Sequence, residues 1–118
     1  MITLYGIKNC DTVKKAKLWL AENDIEYHFH DYRTDGLSAD SVSHWIAELG
    51  WETLLNKRST TWKQLDADVK ENMNEETAKI AILAHPTLIK RPLLDTENAR
   101  HVGFKPDTYA SIFSGKLP

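Results

Sequence analysis

The residue with the most reactive side chain is Cys10, the only cysteine among the 118 residues. A single cysteine cannot form an internal disulfide, and it cannot supply a thiolate zinc cluster within one chain. Such a thiol is either a small packed hydrophobe or a nucleophile. Because Cys10 follows a turn at residues 6–9 and lies outside any apolar stripe, we favour the nucleophile.

The neighbours of Cys10 suit an anionic sulfur. A helix is predicted to begin directly after it, with Asp11 or Thr12 as the cap. The backbone N–H groups and the positive dipole end of a helix favour a thiolate over a neutral thiol. Lys8 adds a positive charge, Asn9 can hydrogen-bond within the turn, and Thr12 offers a hydroxyl. We therefore predict that Cys10 is a reactive thiolate.

The elements that must position Cys10 follow from the hydrophobic period of the chain. Strands are predicted over residues 2–5, 25–30, 92–94 and 100–104. Helices are predicted over residues 11–23, 38–49, 51–55, 61–65, 75–84 and 106–113. This order predicts an α/β fold with a thioredoxin-like mixed sheet (βαβ then ββα) and a helical insertion in the middle, at about residues 38–85.

Composition limits the classes of function. The balance of 15 Lys and Arg against 17 Asp and Glu gives a net charge of −2, which provides no general positive field for nucleic acid. The chain has no apolar run of the roughly 20 residues that cross a membrane, and its first residues lack the apolar core of a signal peptide. We therefore expect one cytoplasmic domain, residues 1–118, that binds neither nucleic acid directly nor a membrane.

Four blocks of sequence carry a family resemblance. Residues 5–12 (Tyr-Gly-Ile-Lys-Asn-Cys-Asp-Thr), 56–58 (Asn-Lys-Arg), 89–93 (Ile-Lys-Arg-Pro-Leu) and 102–104 (Val-Gly-Phe) resemble, in this order, the ArsC (glutaredoxin/glutathione-linked arsenate reductase) family. The resemblance is to its YffB-like branch, which is related to Spx, and it covers essentially the whole chain. It implies that Cys10 attacks the substrate and then passes through a mixed disulfide with glutathione, and that Arg58 and Arg91 bind the oxyanion.

Arginine suits an oxyanion site because its planar guanidinium donates two parallel hydrogen bonds to an oxyanion or a carboxylate. The resemblance to thioredoxin-like folds also implies a cis bond before Pro92, a turn that would bring backbone groups beside the thiolate. The predicted substrate-binding set is Lys8, Asn9, Thr12, Arg58, Arg91, Pro92 and Lys105.

One departure from the family pattern limits the choice of substrate. True arsenate reductases have a third arginine near the last hairpin, where this chain has only Lys105. Lysine retains the charge but loses the fork that holds a tetrahedral oxyanion. Glutathione or a protein disulfide is therefore the favoured substrate.

Two classes of function stay open. The first is a glutathione-dependent thiol reductase with no bound cofactor, glutathione as co-substrate and a glutaredoxin-type protein as its reducing partner. Because no resolving cysteine exists in the chain, an external thiol must release the product. The alternative is an Spx-like redox-responsive transcriptional regulator that binds RNA polymerase, with a glutathionylated Cys10 as its sensor. We prefer the enzyme.

Two further groups of residues have less specific patterns. His28 and His30 share a strand face but lack a third ligand, so no metal is expected. Trp45, Trp51 and Trp62 are interpreted as core residues, because no dense basic stripe accompanies them as it would in a surface that stacks bases.

Overall fold

A four-stranded mixed sheet is the central feature of the computed structural model, which describes residues 1–114. Its strands are β1 (Thr3–Gly6), β2 (His28–Asp31), β3 (Leu93–Asp95) and β4 (Arg100–Val102). Across the sheet the order is β2-β1-β3-β4. Strands β1 and β2 are parallel, and the other two pairs are antiparallel. The predicted α/β, thioredoxin-like sheet is confirmed.

Most of the helices lie where the apolar pattern predicts them. They are α1 (Asp11–Glu22), α2 (Tyr32–Asp35), α3 (Ala39–Leu49), α4 (Trp51–Leu54), α5 (Thr60–Lys63), α6 (Ala67–Glu71), α7 (Glu75–Ala84) and α8 (Pro106–Ile112), with a 3₁₀ turn at Pro86–Leu88. Helices α2 and α6 were not predicted, because α2 buries only Tyr32 and α6 buries no residue, so neither has an apolar stripe. Within residues 1–114, no helix is long and apolar enough to span a membrane.

The chain divides into two compact units, Met1–Arg33 with Arg91–Pro118, and Thr34–Lys90. In the first, the sheet packs against α1 and α8, and the buried cluster consists of Leu4, Val13, Ala16, Leu20, Leu94, Tyr109 and Phe113. In the second, α3 and α7 bury an apolar face that consists of Val42, Trp45, Ile46, Ala78 and Ile82. Within α1, α3 and α7 the buried residues recur at intervals of three or four, as in an amphipathic helix. The single domain inferred from chain length stays a prediction.

The second strand begins later than its alternating pattern indicates. Residues 25–27 lie outside the strand, which starts at His28 opposite Thr3. The Ile25 N–H donates to the Leu20 carbonyl at 3.0 Å, so this residue closes the end of α1 instead of pairing with β1. The last strand is also shorter than predicted, because Gly103 has φ +80° and ends it after Val102.

Candidate functional site

Cys10 occupies the N-cap of α1, so the prediction that Asp11 or Thr12 caps this helix is wrong. Its backbone is extended (φ −109°, ψ 123°), and its carbonyl accepts the first helical hydrogen bond from the Lys14 N–H at 3.0 Å. Within the described part of the chain its side chain makes no capping hydrogen bond. The half-buried thiol packs beside the core cluster. The sulfur therefore lies at the positive end of a helix whose first turn has no side-chain cap.

The turn before Cys10 depends on a close approach between β1 and α1. A Cβ on Gly6 would lie 2.7 Å from the Val13 Cγ2, so only glycine fits there without a shift. Ile7 is buried and anchors the turn, whereas Lys8 and Asn9 are exposed. The turn thus presents these two polar residues next to the thiol in sequence, with Thr12, half-buried, in the first turn of the helix.

Arg91 and Pro92 lead into β3, and the bond between them is cis, which confirms the prediction. Pro92 is buried, and its carbonyl accepts a hydrogen bond from the Gly103 N–H at 2.9 Å. Because Leu93 pairs with Tyr5 in an antiparallel register, the start of β3 lies beside the end of β1. Half-buried Arg91 is therefore at the end of the strands from which the Cys10 turn departs.

The other two strands, β2 and β4, also end at this end of the sheet. Strand β2 is parallel to β1, with Asp31 opposite Gly6, and β4 runs out to Val102 opposite Leu93. Lys105 follows shortly after β4 as the exposed N-cap of α8. The structure thus places the predicted residues of the first unit at one end of the strands. They are Lys8, Asn9, Cys10, Thr12, Arg91, Pro92 and Lys105.

Tyr32 is a residue at this end that sequence reasoning missed. It is only 3% exposed, and among residues 1–114 its hydroxyl has no hydrogen-bond partner. Its ring stacks on Tyr5, with centroids 6.3 Å apart and planes at 18°. Burial raises the pKa of Tyr32 far above its ordinary value, and the positive charge of Arg91 opposes part of that shift. The sequence feature that could have identified Tyr32 is its position just after the predicted second strand, which is parallel to β1.

Arg58 belongs to the second unit, in the loop between α4 and α5. Its N–H donates to the Asn56 Oδ1 at 3.0 Å, and its side chain is exposed. Its guanidinium makes no hydrogen bond or ion pair with any described residue. This guanidinium can therefore bind an anionic group without first breaking another contact.

His28 and His30 were considered above as metal ligands. Among residues 1–114 there is no cluster of three or more histidine, cysteine or acidic residues that could hold a metal ion. The His30 ring lies 4.8 Å from the Tyr5 ring.

Trp45 is buried, as predicted. Trp51 and Trp62 are only partly buried, and both lie near the Lys57 ammonium.

A family model and several known proteins match most of this chain. The ArsC family model matches residues 5–112. An uncharacterized protein of Haemophilus influenzae is 47% identical over 97% of this chain and 100% of its own. A global transcriptional regulator Spx of Lactiplantibacillus plantarum is 31% identical over 99% of this chain and 89% of its own.

Two solved structures are similar over nearly the whole chain. One, described as a YFFB protein, is 46% identical, with a TM-score of 0.90 over 94% of this chain and 97% of its own. Another, an arsenate reductase (ArsC) related protein from Brucella melitensis, is 44% identical, with a TM-score of 0.78 over 98% of this chain and 95% of its own. These similarities support a thiol reductase as the class of protein. Because the family match extends from Tyr5 to Ile112 and includes Cys10, Arg58 and Arg91, the chain belongs to the ArsC family.

Proposed function

We propose that this protein is a glutathione-dependent thiol reductase of the cytoplasm with Cys10 as its nucleophile. The observation that carries the proposal is the position of Cys10 as the N-cap of α1, with no side-chain cap from the described residues. A negative sulfur at this position is stabilised by the first-turn N–H groups and the helix dipole. Arg91 and Lys105 supply positive charge at the same end of the strands.

The reaction is a sequence of thiol–disulfide exchanges. The Cys10 thiolate attacks one sulfur of a disulfide substrate, the substrate S–S bond breaks, and the departing thiolate takes a proton from water. A glutathione thiol loses its proton to water, and its thiolate attacks the Cys10 sulfur. The second substrate thiolate is displaced and takes up a proton, and a Cys10–glutathione mixed disulfide remains. A second glutathione thiolate attacks the glutathione sulfur, which regenerates the Cys10 thiolate. The sum converts one disulfide and two glutathiones into two thiols and oxidised glutathione.

Recognition of glutathione requires groups that bind carboxylates, since the tripeptide carries two of them. We assign this role to Arg91 and Arg58, because a guanidinium binds a carboxylate through two parallel hydrogen bonds. Lys105, Lys8, Asn9 and Thr12 supply the remaining charge and polar groups of the proposed set, with Pro92 beside them in the first unit. A glutaredoxin-type protein is the proposed partner that, together with the second glutathione, removes the glutathionyl group from Cys10.

The direct test is the mixed disulfide. Oxidised glutathione should add one glutathionyl group to the chain at Cys10, and reduced glutathione with a glutaredoxin should remove it. Cys10→Ser should form no adduct, because a hydroxyl cannot exchange with a disulfide. Mass spectrometry of the intact protein follows both steps. An exposed Cys10 that reacts with iodoacetamide but never takes up glutathione would refute the glutathione-linked mechanism.

A second candidate function is an Spx-like transcriptional regulator, favoured by the Spx relatives that match nearly the whole chain. In that case Cys10 would sense oxidation and the protein would bind RNA polymerase. The two functions differ in turnover. The enzyme should consume disulfide in the presence of reduced glutathione and should not co-purify with polymerase. The regulator should co-purify stoichiometrically and form the Cys10 adduct without turnover.

A further inference from the structure

Two tryptophans of the second unit lie around a single lysine. Trp51 begins α4 and Trp62 lies in α5, and we call these two residues the tryptophan pair. The Lys57 Nζ lies 5.9 Å from the Trp51 ring centroid and 5.7 Å from the Trp62 ring centroid. Both distances fall within the range in which the ring quadrupole attracts a cation, and tryptophan is the best such ring. The exposed ammonium of Lys57 is therefore attracted by both rings.

The backbone beside Lys57 is ordered from both sides. The Asn56 N–H donates to the Leu88 carbonyl at 2.7 Å, and the Asn56 Oδ1 accepts from the Arg58 N–H at 3.0 Å. The Asn56 carbonyl accepts from the Ser59 N–H and Oγ, at 3.1 Å and 2.8 Å. The Ser59 Oγ in turn caps α5 by accepting from the Trp62 N–H at 3.1 Å. These hydrogen bonds order the main chain of residues 56–59. Among the described residues, Lys57 is the only one of this loop whose side chain contacts both tryptophan rings.

We propose that Lys57 is a positioning residue that acts through Arg58. By docking its ammonium on the tryptophan pair, Lys57 holds the loop in the conformation that presents the adjacent guanidinium of Arg58 to an anionic substrate. The proposal rests on the proposed function, in which Arg58 binds a carboxylate of glutathione. A loop that is ordered before the ligand arrives loses less conformational freedom on binding. Lys57 therefore improves substrate affinity without contacting the substrate.

The test uses Lys57→Met, which keeps most of the side-chain length but removes the charge that the rings attract. With oxidised glutathione as the probe, the concentration that half-saturates glutathionylation of Cys10 should rise about fivefold. The limiting rate should stay within about twofold, since the Cys10 sulfur is unchanged. Lys57→Arg should restore the wild-type value, because a guanidinium also binds to tryptophan rings. Hydrogen exchange of the Arg58 N–H should be faster in Lys57→Met and normal in Lys57→Arg.

Two controls separate positioning from charge alone and from direct binding. Lys63→Met removes an exposed lysine from the same helix as Trp62 and should leave half-saturation unchanged. An equal effect of Lys63→Met and Lys57→Met would overturn the inference. In an Arg58→Gln background, Lys57→Met should have no further effect, whereas an additive loss would show that Lys57 contacts the ligand itself.

Failure of this inference and failure of the proposed function are distinguishable. Wild-type protein that never forms the Cys10 adduct refutes the proposed function. Exchange of the Arg58 N–H does not depend on glutathione, so it still decides whether Lys57 orders the loop. Unchanged exchange in Lys57→Met overturns the inference even when wild-type Cys10 reacts as proposed.

Discussion

At the scale of single residues, Cys10 has both a structural and a proposed chemical role. It ends the extended turn after β1 and begins α1 as its N-cap, a position usually taken by serine, threonine, aspartate or asparagine. Cysteine is a weak hydrogen-bond acceptor in this role. The sulfur makes no capping bond with the described residues, so Cys10 stabilises the start of α1 less than one of those four residues would.

Arg91→Lys tests the binding role proposed for arginine. Lysine keeps the positive charge but cannot donate two parallel hydrogen bonds to a carboxylate. The concentration of oxidised glutathione that half-saturates Cys10 should rise about tenfold, the cost of one charged hydrogen bond. The melting temperature should change little, and the same pair of measurements applies to Arg58→Lys. Unchanged half-saturation, or a loss of activity that follows the loss of fold, would contradict the binding role.

At the scale of elements, the contact between β1 and α1 determines where the turn before Cys10 lies. Gly6 ends β1 and Val13 is the first fully buried residue of α1. The three residues Ile7, Lys8 and Asn9 connect the strand to the N-cap. A shift of either element would therefore move the sulfur relative to the start of β3.

Gly6→Ala should destabilise this contact. The added Cβ would meet the Val13 Cγ2 at 2.7 Å, and the branched valine side chain has few rotamers to escape into. We expect a loss of about 1–3 kcal/mol in the free energy of unfolding, measured with urea. Gly6→Ala should lower the free energy of unfolding less in a Val13→Ala background than it does in the wild-type chain. A Gly6→Ala variant as stable as wild type would show that the two elements separate easily.

At the scale of the whole molecule, two buried tyrosine hydroxyls affect stability at high pH. Tyr109 and Tyr32 are 1% and 3% exposed, and neither hydroxyl has a hydrogen-bond partner among residues 1–114. Tyr109 packs edge-on against Phe104 and Trp19, with centroids 4.7 Å and 5.5 Å away. Burial raises the pKa of both phenols far above the ordinary value. Both phenols therefore stay neutral in the folded protein at a pH where they ionise in the unfolded chain.

Stability should consequently fall as pH rises above about 10, the pKa of a tyrosine in the unfolded chain. Above that pH the unfolded state binds fewer protons than the folded state, so each buried tyrosine lowers the free energy of unfolding by about 1.4 kcal/mol per pH unit. Below it this stability is fully present. Tyr109→Phe should remove the contribution of one tyrosine from this slope and should not destabilise the protein at pH 7. Urea unfolding between pH 8 and about 11.5 checks this, and a slope equal to that of wild type would contradict it.

How much could be predicted from sequence depends on how local the information is. The period of apolar residues predicted α1, α3, α7 and the succession of four strands along the chain, because such patterns repeat within a single element. The turn chemistry around Cys10 predicted a cysteine at the start of a helix. It assigned the cap to the wrong residue, since Cys10 itself takes the cap geometry.

The sequence by itself determined the chemical types available to this protein: one thiol, two arginines in family blocks, and a lysine where the family pattern has a third arginine. Only the tertiary structure decided which of them share a location. Strand direction places Arg91 and Lys105 at the end of the sheet where the Cys10 turn departs, and it places Tyr32 there as well. The docking of Lys57 on Trp51 and Trp62 was also not predictable. The distance from a cation to a ring depends on how α4, α5 and their loop pack, and no local pattern encodes that.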